Sequence, residues 1–457
     1  MSDIIKTPEA VEDADGVIAK VLESIMKQGE VVSDKKSRQG DFIEIRNLQF
    51  ALTNPHKRIT TNPKRPMDLV SAIARFVWMI AGSDRLEDIA FYQEKVREYS
   101  DNGLSVPGSS YGKRLFEPQP GIDQIKACIE VLKDNPSSRR ACAAIWQPID
   151  ATRILSKDLP CAFGINFEIR KEKLYSTLVM RSNNAITLLH MNLFEFTLLG
   201  EMVAKELGIE YGGHVQDVFS MHIFQTDKKK AVDILNAFEK MEPYEKLYVM
   251  PKMPMDPSPF EEARKLALLE TTLRNHNVFH ELTNLDDHLK NAKNILHPYW
   301  FEFYKVLAIG VLIRLSKFDE AQDLTYSLKP YFKLPMISQL DKLKNAFLKK
   351  SNSTLDMFVD EENSKFEKLQ KIFSVSDEKK NNLEKKVTAI LNQWNNTHIK
   401  KLTKLEEEKI LNEITERFVI AARSEQRPMD PSKNSEDYLE ISKKEVFDMI
   451  KDIIKTR

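Results

Sequence analysis

Three cysteines in 457 residues are too few, and too unevenly spaced, to staple a fold. Cys128, Cys142 and Cys161 form an odd set with no CxxC pair and no histidine-rich ligand spacing, which argues against structural zinc or another metal site and for a reducing compartment. Charge of one sign is lacking as well. The 68 Lys plus Arg balance 68 Asp plus Glu, so no overall field gathers nucleic acid or an anionic membrane, and any anion has to be bound locally. Long apolar runs are missing: no window offers the roughly 18 uninterrupted apolar residues of a membrane span. The start, MSDIIKTPEAVEDADG, has neither the basic region nor the apolar stretch of a secretory signal. These absences lead to the expectation of a cytoplasmic protein with no membrane or nucleic-acid partner. A phosphate loop is also excluded, since only three residues separate Gly108 from Gly112 and no strand precedes them.

What is present divides into three stretches. Residues 1–36 are polar and read as a short helix with a flexible lead-in, an N-terminal extension. From 37 to 245 the periodicity alternates. DFIEIRNLQFAL, RRACAAIW, AFGINFEIR, KLYSTLVMR and YGGHVQDVFSMHIF read as strands, while 68–82, 121–135 and 191–208 read as helices, the last closed by Gly208. Strands interleaved with helices imply an α/β (α+β) domain, a mixed sheet packed by helices. After a Pro-rich connector, MPKMPMDPSP (250–259), residues 246–457 show helical periodicity, few glycines and little strand character, as expected of a separate all-helical domain. The PMDPS at 254–258 and 428–432 reads as two helix entries rather than a repeat. The Lys/Glu-rich stretch 375–417 reads as a solvated helix or helical hairpin.

Cys128 fits a helix core and Cys142 a strand interior; Cys161 opens a strand after Pro160. By itself Cys161 is either a small buried hydrophobe or a nucleophile, because only a thiol beside positive charge in a partly open site becomes reactive. Ser138-Arg139-Arg140 and Arg181-Ser182 supply guanidinium forks and hydroxyls suited to a phosphate monoester, although SRR also reads as an ordinary turn. Asn192 could cap the 191–208 helix, and His222 could be a satisfied strand histidine.

The order of these residues decides between the readings. YGKR (111–114), NPSSRRACAAIW (135–146), LPC (159–161), RSNN (181–184), Asn192 and HIF (222–224), preceded by WMIAG (78–82), resemble the thymidylate synthase family over about residues 38–226. The resemblance implies that fold, a homodimer formed through the sheet, and a pyrimidine nucleoside monophosphate, dUMP or a relative, as substrate. It implies that Cys161 attacks C6 of the base with Tyr111 nearby, and that Arg181 and Ser182 hold the 5′-phosphate. Arg139 and Arg140 are expected to reach that phosphate across the dimer, and Arg38 is expected as a further phosphate ligand. Asn192 is expected to read uracil, where a carboxylate would suit cytosine, and His222 to bind the ribose hydroxyl.

Several positions depart from the family. Arg75 stands where a proton-relaying glutamate belongs, and a guanidinium cannot shuttle protons near neutral pH. Ala162 follows Cys161 in place of His, Asn184 and Ser220 replace aspartates, and Phe224 replaces a tyrosine. REYSDNG (97–103) lacks the tryptophans on which folate stacks, and the family's closing C-terminal tail has no counterpart. The nucleotide groups thus survive while those for 5,10-methylenetetrahydrofolate, the expected cofactor, are altered. Two expectations follow. One is a methyltransferase or hydroxymethyltransferase with divergent chemistry, Arg75 engaging a carboxylate or phosphate of the one-carbon donor. The other is a catalytically reduced nucleotide-binding regulatory or scaffold protein whose helical domain binds a partner.

Overall fold

In the computed structural model the described residues are 9–34, 40–241, 248–279 and 285–341. Arg38, the 375–417 stretch and the second PMDPS lie outside them.

The chain opens with β1 (Glu9–Val11), α1 (Ala14–Gln28), β2 (Glu30–Val32) and β3 (Phe42–Leu52). Asp13 caps α1 by accepting from the Gly16 amide at 2.8 Å, and Val17, Val21, Leu22 and Ile25, one helix face at i, i+4, i+5 and i+8, are fully buried. The polar-looking N-terminal stretch therefore places one helix in the core. Then come α2 (Leu69–Ala81), α3 (Leu86–Ala90), α4 (Tyr111–Phe116), α5 (Gln124–Asp134), β4 (Cys142–Ala144), β5 (Ala162–Arg170), β6 (Lys173–Met180), β7 (Asn183–Asn184), α6 (Leu189–Glu206), β8 (Glu210–Phe224) and α7 (Lys228–Phe238).

The described strands make one sheet in the order β1-β3-β8-β6-β5-β4, with β2 also on β3 and β7 also on β8. β8 is its axis, antiparallel to β3 and parallel to β6. Parallel neighbours need a crossover, and α6 supplies it. This helix is buried along nearly its whole length, which is why its sequence is apolar on all sides rather than striped. The expected mixed sheet packed by helices is what forms. Cys142 corrects one expectation: it lies exposed on the edge strand β4, its thiol donating to Asn166 Oδ1 at 3.0 Å, because a three-residue edge strand has no covering layer there.

Beyond the connector follow α8 (Pro259–Phe279), α9 (Leu285–Ile295), α10 (Pro298–Arg314) and α11 (Phe318–Tyr326). They share one compact unit, residues 1–345, with the sheet. The connector is tied to α6: the Met253 amide donates to Glu201 Oε1 at 2.8 Å, and Glu201 also binds Arg58, both side chains fully buried. α10 lies on α2, where the Trp300 and Phe76 rings stack at 6.2 Å. A Cβ at Gly310 would meet Val70 Cγ1 at 2.4 Å, so only glycine permits that approach. Among the described residues no helix is long and apolar enough to cross a membrane.

Candidate active site

The register of the β5/β6 pair, Ala162 opposite Met180, brings the residues just outside each strand together. The Arg181 amide donates to the Cys161 carbonyl at 2.8 Å. Its guanidinium then folds back over the loop that leads to Cys161, with Nε donating to Pro160 O at 2.8 Å, Nη2 to Leu159 O at 3.3 Å, and Nη2 lying 3.9 Å from Cys161 Sγ. The Trp146 ring, 6.0 Å from the guanidinium carbon, braces it from the other side. The parallel pairing of β7 with β8 sets Asn184 beside His222, and Ser182 Oγ comes within 3.4 Å of His222 Nδ1. Cys161, Arg181, Ser182 and His222 all keep partial exposure, so their cluster opens to solvent.

The floor comes from helices. Ser110 caps α4, accepting from the Lys113 amide, and presents Tyr111 inward against Phe196 with ring centres 5.7 Å apart. Gly112 belongs to packing, not phosphate binding: a Cβ there would lie 1.8 Å from Met79 O at the end of α2. Burial raises the Tyr111 pKa well above its usual value, against the pull of Arg75 and a hydrogen bond with the Cys161 backbone. One side of α6 carries Asn192 and, a turn further on, Glu195. Asn192 is 2% exposed and its Oδ1 has no hydrogen-bond partner among the described residues, a cost that a bound donor would remove. Its helix begins at Leu189 and Asn192 makes no capping bond, so the capping role is not the one it has.

Arg75 projects from α2 onto α6, where Nε donates to Glu195 Oε1 at 2.5 Å. The guanidinium expected to meet a donor's anion is thus committed to a carboxylate of its own chain. Protein packed around Cys161 pushes its thiol pKa up, while Arg181 and then Arg75 pull it down. Cys128, by contrast, is raised by burial to about 12 and has no cation beside it. Burial lowers the His222 pKa, and the ring is held edge-on between Phe42 and Phe224, at 5.6 and 5.4 Å. Phe224 thus holds the ring by contact where a tyrosine would add a hydroxyl.

Arg139 and Arg140 are exposed and stand apart from this cluster. Ala141, the next residue, bonds Phe167, six positions along β5 from Cys161, a separation of about 20 Å at the rise of a strand. Within one chain the structure does not bring them to the thiol. Ala162 is fully buried in the sheet. Sequence reasoning passed over Asp158, Trp146 and Glu195. Asp158 Oδ1 accepts from Ser109 Oγ at 2.6 Å and Oδ2 from the Gly108 amide at 2.5 Å, fixing the loop before Cys161 to the approach of α4. A carboxylate immediately before LPC was the available signal.

The positions associated with folate do not reproduce the family's contacts. Asn184 Oδ1 is spent on the Ile186 and Thr187 amides at 3.0 and 2.8 Å, Ser220 Oγ donates to Glu44, and Arg97 is bound by Glu87 and Glu94. Among the described residues no group of three or more His, Cys, Asp or Glu is placed to hold a metal ion.

A mixed sheet with a buried crossover helix, and a half-buried thiol beside a guanidinium at the end of β5, is the arrangement to be compared with known proteins. The family model for thymidylate synthase matches residues 18–278, and the chain belongs to that family. It is 29% identical over 45% of its length to the deoxyuridylate hydroxymethyltransferase of Bacillus phage SP01, and 26% identical over 49% to that of Delftia phage PhiW-14. These alignments span 56% and 64% of the two phage proteins, less than two thirds of either. A putative thymidylate synthase of Methanocaldococcus jannaschii is 32% identical over 48% of this chain and 90% of its own length.

Proposed function

We propose that the protein transfers a one-carbon unit to C5 of dUMP through a Cys161 adduct at C6. The observation that supports the reading is a half-buried Cys161 whose Sγ lies 3.9 Å from Arg181 Nη2; the buried Asn192 Oδ1, without a hydrogen-bond partner among the described residues, is consistent with it. Adding the thiolate to C6 pushes the C5–C6 electrons onto O4 and makes C5 a nucleophile, splitting a difficult carbon alkylation into easier steps. Asn192 accepts from N3–H and donates to O4, which suits uracil. Arg181 and Ser182 take the 5′-phosphate, and the nucleotide's anion draws the Arg181 fork off the 159–160 carbonyls. Arg139 and Arg140 complete that phosphate site in a second copy of the chain, and His222 holds the sugar. The names of the phage relatives favour 5-hydroxymethyl-dUMP over the methyl product.

The test is intact-protein mass with 5-fluoro-dUMP, with and without methylenetetrahydrofolate, and product analysis with dUMP. A covalent adduct lost in Cys161→Ala supports the reading. A second reading, a dUMP-binding regulatory module, is favoured by the burial that raises the thiol pKa; it predicts thermal stabilisation by dUMP and no adduct with any donor.

A further inference from the structure

We propose that Glu195, held by Arg75, is the group that moves the C5 proton in this chain: the carboxylate has changed helices, from α2 to α6, rather than been lost. The inference rests on the dUMP reading above and adds a residue that the resemblance does not supply.

Three observations place it. First, Arg75 cannot itself give or take a proton near neutral pH, yet its Nε lies 2.5 Å from Glu195 Oε1, so an acid stands one guanidinium away from where a carboxylate on α2 was expected. Second, Glu195 lies three residues after Asn192 on α6, hence on the same side of the helix, beside the carboxamide whose free oxygen marks the base. Third, Glu195 is 2% exposed and Arg75 is its hydrogen-bond partner among the described residues. A buried carboxylate with one cationic contact retains acceptor capacity for a substrate or a water. Burial raises its pKa and Arg75 opposes the rise, the balance required of a group that must hold and release a proton in turn. Arg75 also acts electrostatically on Tyr111 and Cys161, so one cation positions the carboxylate and steadies the thiolate.

The step balances with water alone. Cys161 sulfur bonds to C6 as the ring electrons move to O4. Protonated Glu195 delivers a proton to C5, and its carboxylate then removes the hydron originally there. The regenerated enolate expels the thiolate and restores uracil. The net change is exchange of the C5 hydrogen with solvent, with no oxidant or reductant.

The experiment follows tritium release from [5-3H]dUMP, beside dUMP affinity by calorimetry and adduct mass with 5-fluoro-dUMP. Glu195→Gln is expected to bind dUMP within about threefold of wild type and to slow release by about 100-fold or more. Glu195→Asp is expected to restore part of the rate with a shifted pH profile. Because Glu195→Gln leaves Arg75 buried without its partner, the double variant Arg75→Met/Glu195→Gln provides a folded form lacking both charges, with the same loss expected. Release within threefold of wild type in either glutamine variant, with dUMP bound, overturns the assignment alone. A wild-type protein that neither binds dUMP nor releases tritium overturns the transferase reading and the assignment with it.

Discussion

Trp300→Ala tests whether the helices beyond the connector are part of the nucleotide-site domain. Trp300 is fully buried, stacked on Phe76 at 6.2 Å and against Phe303 and Tyr299 at 5.2 and 5.3 Å. A buried tryptophan removes about 200 Å² from water, worth about 5 kcal/mol. The alanine keeps a small part of this, and measured truncations of large buried aromatics cost about 3–5 kcal/mol. Trp300 Nε1 has no partner, so Trp300→Phe is expected to lose less than half as much. Such a loss is a large share of the roughly 5–15 kcal/mol that holds a typical domain. At about 2 °C per kcal/mol it lowers Tm by roughly 6–10 °C. The effect reaches the site because Phe76 faces α10 while its neighbour Arg75, about 100° further round the helix, faces α6. Hydrogen exchange in urea on the full chain is the assay: amides of α2, α10 and β8 are expected to lose protection at one common free energy, lowered equally by Trp300→Ala. If α10 exchanges at its own lower free energy while β8 keeps the wild-type value, or if the variant loses less than 1 kcal/mol, the reasoning fails.

Three further outcomes are expected. Arg58→Met leaves the fully buried Glu201 carboxylate with the Met253 amide and His56 Nδ1 at 3.7 Å, and should cost about 3–5 kcal/mol in urea denaturation; a cost below 1 kcal/mol would show that the pair does not hold the connector. His214 is buried and its pKa is lowered to about 3, so below pH 6.5 the unfolded chain takes up a proton that the folded chain refuses. Its contribution is unchanged above pH 6.5 and falls by about 2 kcal/mol between pH 6.5 and pH 5, and His214→Gln should flatten the stability profile over that window; equal slopes for the two proteins refute it. Asn192→Asp should move nucleotide preference from dUMP toward dCMP by about 100-fold, since a carboxylate accepts from an amino group and repels O4; unchanged preference in competition binding would remove Asn192 from the base site.

The patterned elements were legible because local periodicity reports them directly. DLVSAIARFVWMIA reads as a helix and becomes α2, capped by Asp68 and ended by Gly82 at φ 61°. β3, β5, β6 and β8 alternate or run apolar as the sequence does. The N-terminal helix was seen, but its place in the core was not, since burial depends on what covers it. Of the candidate site, Cys161, Arg181, Ser182, His222, Tyr111 and Asn192 could be named from the family resemblance, and the fold brings Arg181 to Cys161 and Ser182 to His222. Glu195 was hidden inside an almost uniformly buried helix, where a lone carboxylate gives no periodic signal.

The amino-acid order by itself determined which segments become strand or helix and which residue types could grip a nucleotide, because dihedral preference and apolar spacing are properties of neighbours along the chain. Only the tertiary structure decided that Arg75 meets Glu195 across 120 positions, that the residue after Arg140 meets β5 at Phe167 rather than near Cys161, and that α10 presses on the back of the helix carrying Arg75. Those partnerships are set by how whole elements pack, and no short window of sequence contains both members.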